Sequence, residues 1–308
     1  MTDSYAAQPD SPSAHLSPEP AAAAVIRRVA VIGDIGGHRE ELVTELRRLG
    51  ADPSTLALPA DLVVVQVGDL IHRGPDSVGV VALVDRYLSE QPDQWVQLVG
   101  NHEAQYLRDP AFEWPERIDR STADVLRGWW RAGRMRVAVA VPSTTGDHLV
   151  THAGLTSEFW RQELGGPSSA ERTAYALNAL IGTLDDALHR AGEMLGGGPP
   201  MWSAGPLWAS APNELVPSWL GVPLPFNQVH GHTAIHDWQR GVKRGAMDVT
   251  FRTTGDPTTK IETTRLDGGD IIGVDPCHGY EPRQPWQALE LAVPDGLSWS
   301  ARTAWLRS

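Results

Sequence analysis

Three apolar runs in the first third of the chain each end at a glycine followed by a polar side chain. Val29-Ala30-Val31-Ile32 runs into Gly33-Asp34, Leu62-Val63-Val64-Val65 leads to Gly68-Asp69, and Trp95-Val96-Gln97-Leu98-Val99 runs into Gly100-Asn101. Short apolar runs of this kind mark strands covered on both faces. Helical spacing follows them: Leu42, Leu46 and Leu49 closed by Gly50, then Val80, Val81, Val84 and Leu88 behind Ser77, the expected cap. Strand, tight polar loop and helix in repetition specify a layered α/β fold, in which chemistry collects beyond the carboxyl ends of the strands. The glycines let the backbone turn sharply, so the next side chain can face that site.

The remainder is less regular. Residues 119–134 read as a helix, and Val137 to Val141 and Leu149-Val150 as strands, the second delivering His152. A long helix is expected from Ser168 to about Leu195, with Ala174, Leu177, Leu180, Ile181, Leu184 and Leu188 on one face. Gly196 to Pro225, rich in proline, glycine and tryptophan (Trp202, Trp208, Trp219), reads as a loop-rich cap. Met247 to Leu291 alternates β-prone runs with turns and is expected to form an antiparallel meander closing a second sheet. The expected organisation is a disordered tail at 1–25, one domain at 26–295 with its cap at about 157–226, and an extension at 296–308.

Composition narrows the function classes. With 308 residues and 41% hydrophobic side chains, the chain can bury a large core. Its 26 basic and 38 acidic residues leave a formal charge of −12, which argues against non-specific nucleic-acid binding. A small phosphorylated ligand stays open, because a bound metal ion overrides the global sign locally. Cys277 is the single cysteine, so no intrachain disulfide forms, and its context suits a packed thiol. No stretch approaches the length of a membrane span, and residues 1–20 lack the basic start of a secretory signal, so a cytoplasmic protein is expected.

Five islands carry the chemistry: Gly33-Asp34, Gly68-Asp69, Gly100-Asn101-His102-Glu103, His152 and Gly231-His232. Each alone is more often a turn or a packed histidine. In order, at strand ends, their oxygen and nitrogen donors point to two divalent cations and to cleavage of a phosphate ester or anhydride.

Extended to Gly33-Asp34-Ile35-Gly36-Gly37-His38, Gly68-Asp69-Leu70-Ile71-His72-Arg73-Gly74-Pro75-Asp76-Ser77, Gly100-Asn101-His102-Glu103, Thr151-His152-Ala153-Gly154-Leu155 and Gly231-His232-Thr233, these motifs resemble those of the calcineurin-like metallophosphoesterases. More narrowly, they are similar to the phosphoprotein-phosphatase branch that holds symmetrical diadenosine tetraphosphatases and Shewanella-like phosphatases. The resemblance spans about residues 27–275. It implies a four-layer α-β-β-α sandwich with two divalent metals between the sheets. Asp69 would bridge both ions, Asn101, His152 and His232 would complete the second, and Asp34 would belong to the first. Mixed oxygen and nitrogen ligation suits Mn, Fe or Zn. Hydroxide held by the metals would attack phosphorus in line, His102 would act as general acid, and Arg73 would grip phosphate oxygens. The implied substrate is a phosphorylated small molecule, a nucleotide or a phosphoprotein.

Two departures stand out. The family's first motif carries a metal-ligating histidine where this chain has Gly36. His38 or His72 could supply the missing nitrogen, His72 standing where the family has an aspartate that orients the catalytic histidine. The alternative is a first site held by Asp34 and Asp69 alone, and with it a weakened or inactive binding or regulatory protein on the same scaffold. A serine/threonine phosphatase is a further alternative. In the cap, Pro206-Leu207-Trp208 is followed by Ala209-Ser210 instead of a basic clamp, and no Lys or Arg occurs from Gly192 to Gln239. The cap tryptophans are expected to pack the cap onto the sandwich rather than stack on a ligand.

Overall fold

The computed structural model describes residues 26–182, 187–279, 285–296 and 299. The expected tail at 1–25 and most of the extension at 296–308 lie outside them. The chain opens with β1 (Arg28–Ile32), α1 (Arg39–Arg48), β2 (Leu62–Gln66), α2 (Ser77–Glu90), β3 (Trp95–Leu98), α3 (Asn101–Leu107), α4 (Arg120–Arg131) and β4 (Met135–Arg136). These four strands pair in parallel and in sequence order, each step crossed by helix or loop. Then come β5 (Ala138–Val141) and β6 (His148–Thr151). The cap holds α5 (Ser157–Gln162), α6 (Ala170–Ala179), α7 (Glu193–Gly196) and α8 (Val216–Ser218). After β7 (Asn227–His230) a small ladder pairs β8 (His236–Asp237) with β9 (Val242–Lys243). The chain continues through α9 (Met247–Arg252), β10 (Thr253–Asp256), β11 (Ile261–Leu266), β12 (Gly269–Gly273) and β13 (Leu289–Ala292). The second sheet runs β10-β11-β12-β7-β6-β5.

Strand periodicity explains the layering. Val29, Val31, Val63 and Val65 point from the first sheet into a valine-rich layer shared with Val139, Val141, Val150 and Val229 of the second. The alternate residues Ala30, Ile32, Leu62 and Val64 face outward, in one cluster with Leu42 and Leu46 of α1 and Val80 and Val84 of α2. On the far side α6 packs against β5 and β6. Helix, sheet, sheet and helix therefore stack in that order. Each Val or Leu fully buried in these layers stabilises the fold by about 1.5–3 kcal/mol relative to exposure.

Four local expectations change. The N-cap of α2 is Asp76, whose carboxylate accepts the Gly79 N–H at 2.8 Å, while Ser77 Oγ accepts the His72 N–H at 2.9 Å. The long helix expected from Ser168 to Leu195 ends at Ala179, because Gly182 turns the chain at φ 78°. Leu184 of its expected apolar face lies outside the described residues. Met247–Arg252 is helical rather than part of a meander. Leu289–Ala292 joins the first sheet, antiparallel to β1, not the second. Among the described residues no helix is long and apolar enough to cross a membrane.

Candidate metal centre

The three loops beyond β1, β2 and β3 are stitched together before any side chain of the site is placed. Gln66, at the end of β2, is buried, and its amide donates to the carbonyls of Gly33 (3.1 Å) and Gly68 (2.7 Å). Its oxygen accepts the Gly68 N–H at 2.9 Å and a short hydrogen bond from Gln97. Glu103 accepts backbone N–H groups from Gly100 (2.9 Å), Asp69 (2.8 Å) and Leu70 (2.8 Å). Asp69 C=O in turn accepts from Ile35 (3.0 Å) and Gly36 (2.8 Å). A buried polar network of this kind is rigid because every member is satisfied. Sequence reading gave Gln66 no role and quoted Glu103 only as part of a motif. The available signal was a polar residue closing an otherwise apolar strand.

Glycine is required where loops touch. A Cβ on Gly231 would lie 2.2 Å from Asp34 Oδ1, and one on Gly100 would lie 2.2 Å from Asp69 Oδ1. Four non-glycine residues of the motifs adopt left-handed backbone: Asp69 (φ 55°), His72 (72°), Arg73 (67°) and His232 (65°). Such strain gathers where a tertiary constraint aims side chains that local preference would not.

The side chains converge as follows. One ligand atom each from Asp69, His152 and His232 lies within 4.8 Å of the others, and all three residues are buried. Asn101 Oδ1 lies 2.9 Å from His152 Nε2 and 3.0 Å from His232 Nδ1. Asp34 Oδ1 accepts the His232 N–H at 3.0 Å, while its Oδ2 and His232 Nε2 are buried with no hydrogen-bond partner among the described residues. His152 Nδ1 is 3.1 Å from the Val67 carbonyl, an obligate acceptor, so its proton sits there and Nε2 presents a lone pair. That lone pair faces Asn101 Oδ1 and, at 3.5 Å, Asp69 Oδ1. His152 Nε2, Asn101 Oδ1 and Asp69 Oδ1 thus meet as acceptors with no proton between them, the arrangement a cation stabilises. The donor set fits a divalent metal.

Around Gly36 the arrangement differs. Segment 274–279 lies along the first loop: a Cβ on Gly33 would meet the Val274 carbonyl at 1.9 Å, and one on Gly36 would sit 3.8 Å from His278 Cβ. His38 is buried there, with Nε2 3.2 Å from the Gly279 carbonyl and its ring 4.6 Å from that of His278. It stands outside the Asp69-His152-His232 group. Asp275, which sequence reading passed over, is buried in the same segment, its carboxylate accepting the Cys277 N–H at 2.7 Å. Burial first, then the Asp275 and Asp69 charges, raise Asp34 well above the usual carboxylate range.

His102 and His72 form a pair of their own. Their Nδ1 atoms are 3.0 Å apart, and His102 Nε2 faces Asp69 Oδ2 at 3.6 Å. Trp114 stacks on His72 (5.4 Å, 10°), lies 4.4 Å from the His102 ring and sits 5.8 Å from the Arg73 guanidinium. Arg73 Nη1 donates to the His278 carbonyl at 3.3 Å. In the cap, Trp219 is buried and donates to Leu155 C=O, Trp208 packs edge-on to His232 at 6.0 Å, and Trp202 is half exposed. A cavity of about 280 Å³ opens beside Asn101, walled by Trp208, Leu195, Arg108 and His189.

Electrostatics give a pH dependence. Burial is the largest cause that lowers the imidazoles of His72 (to about 3), His102, His148, His152, His230 and His232. Burial also raises Asp34, Asp275 and Glu103, the last to about 8. A histidine depressed by folding contributes stability above its ordinary value of about 6.5 and loses it as pH falls, because the unfolded chain binds the proton. The three raised carboxyls act in the opposite sense, losing their contribution as pH rises. His72, lowered to about 3, takes up its proton between pH 7 and pH 5.5 only in the unfolded chain, so its share of the stability is lost over that interval: in metal-free protein His72→Asn should lose less melting temperature from pH 7 to pH 5.5 than the parent does. Thermal melting of both proteins in chelator measures it; equal losses contradict the assignment.

Comparison with known proteins follows the same lines. The calcineurin-like phosphoesterase family profile matches residues 27–241. Serine/threonine-protein phosphatase 1 of Salmonella typhimurium is 43% identical over 82 residues, 26% of this chain and 32% of that protein. The symmetrical bis(5'-nucleosyl)-tetraphosphatase of Klebsiella pneumoniae is 27% identical over 181 residues, 56% of this chain and 57% of its own length. The chain thus spans about a third and just over half of these two relatives. A solved cold-active protein tyrosine phosphatase superposes with a TM-score of 0.46 at 18% identity, covering 82% of this chain and 70% of the other.

Proposed function

The chain belongs to the calcineurin-like phosphoesterase family, and we propose that it is a metal-dependent hydrolase of a phosphomonoester or a nucleotide phosphoanhydride. One observation carries the reading: the buried His152 Nε2 lone pair faces two acceptor oxygens, from Asn101 and Asp69, with no proton to share. Asp69, Asn101, His152 and His232 would hold one ion, and Asp34 with Asp69 a second, weaker one, since Gly36 brings no donor. Mn, Fe or Zn suits these ligands. When bound, the metals supply Lewis-acid activation of water and of the phosphoryl group.

The chain's own residues do the rest. Arg73 holds phosphate oxygens, its planar fork kept in place by the His278 carbonyl and Trp114. His102 keeps its resting proton on Nδ1; its Nε2, the nitrogen facing the Asp69 carboxylate, takes up a second proton and delivers that one to the leaving oxygen. The cavity beside Asn101 gives the leaving group an aromatic wall at Trp208 and polar groups at Arg108, Asp109 and His189. That lining suits a ring-bearing, polar leaving group such as a nucleotide. The names of the two curated relatives cover a nucleotide and a phosphoprotein substrate.

The test is release of para-nitrophenol from its phosphate ester by the full chain with added Mn, beside Asn101→Ala. Activity should require the metal and fall at least about a hundredfold in the variant. No turnover with Mn, Fe or Zn would leave a binding protein on this scaffold.

A further inference from the structure

The hydrogen-bond inventory around His72 is closed at both ends by backbone groups. The Ile71 carbonyl lies 3.2 Å from His102 Nδ1 and can only accept, so His102 carries a proton on Nδ1. His72 Nδ1, 3.0 Å from the same nitrogen, must then present a lone pair. The single proton of a neutral His72 is left on Nε2, 2.7 Å from the Tyr106 hydroxyl oxygen. That oxygen also accepts the Ile118 N–H at 3.2 Å, so its two lone pairs are both engaged and its own hydrogen turns away from His72.

We propose that Tyr106 is a positioning residue: its hydroxyl oxygen accepts the His72 Nε2 proton and holds the ring, so that His72, a neutral acceptor at Nδ1, aims His102. The stack of Trp114 on His72 holds the ring plane in which this works. The three residues come from different places, the loop after β2, α3 and the loop before α4, so no local pattern announces them. The consequence for the reaction rests on the hydrolase reading above; the tautomers do not.

Two readouts separate those layers. In metal-free full chain with nitrogen-labelled histidine, two-bond proton–nitrogen spectra near neutral pH should show His72 protonated at Nε2 and His102 at Nδ1. In Tyr106→Phe the His72 proton should stay on Nε2, because His102 still faces Nδ1, but its Nε2 signals should shift as the hydrogen bond to the hydroxyl oxygen is lost. With Mn, the same variant should lose about tenfold in kcat on phenyl phosphate, whose leaving group needs a proton. KM should stay within about twofold, and para-nitrophenyl phosphate should be much less affected. His72→Asn, which keeps an acceptor oxygen, should retain more activity than His72→Leu. A His72 proton found on Nδ1, or a Tyr106→Phe spectrum identical to that of the parent, overturns the proposal. If no substrate turns over, the hydrolase reading fails alone, and the spectra still decide the positioning.

Discussion

Asp69→Asn should abolish turnover while leaving the chain folded. The carboxylate presents Oδ1 to His152 and Oδ2 to His102, and in the proposed assignment it is shared by both ions. Its pKa lies below the usual range: burial alone would raise it, but His102, His152 and His232 outweigh burial. An amide of the same shape keeps the left-handed backbone at φ 55°, which asparagine tolerates, and the backbone bonds to Glu103, Ile35 and Gly36 do not involve the side chain. What disappears is one negative charge at the point shared by two cations. We expect kcat/KM to fall at least about a thousandfold, on the order of 4 kcal/mol of transition-state stabilisation. Bound metal should fall with it. Elemental analysis beside steady-state kinetics decides; full metal content with near-parent activity would remove Asp69 from the centre.

The second large effect separates acid catalysis from metal binding. His102→Asn should keep its metal, because the imidazole lies outside the Asp69-His152-His232 group. It should lose about a hundredfold or more in kcat, the range a positioned general acid supplies. The backbone N–H of residue 102, which donates to Asp69 Oδ1 at 3.0 Å, survives the substitution. The deficit should therefore grow as the leaving group becomes harder to expel. A variant with parent-like kcat on phenyl phosphate would show that the leaving oxygen takes its proton elsewhere; one that loses metal would show that His102 shapes the centre itself.

Much of the architecture was legible because strand and loop chemistry are local. Apolar runs ending in Gly-Asp or Gly-Asn fix where strands stop and which side chain stands at the exit, and those exits are β1, β2 and β3. Boundaries that depend on a single turn were less legible. Gly182 stops a helix whose apolar spacing ran on, and Asp76, one residue before Ser77, takes the cap because its carboxylate reaches Gly79. The destination of β13 was beyond reach: its pairing with β1 joins positions near 30 and 290, and nothing local chooses between two sheet edges.

The amino-acid order by itself settled which donors this chain owns, Asp34, Asp69, Asn101, His102, His152 and His232, and that position 36 contributes none, because side-chain chemistry is written residue by residue. Tertiary packing alone settled how they are held. Gln66 and Glu103 bind the loops together, segment 274–279 meets His38, and Tyr106 meets His72 across 34 residues of chain. Hydrogen-bond geometry within 3 Å or so exists only after the chain has folded, and it is that geometry which assigns a proton or a lone pair to each nitrogen.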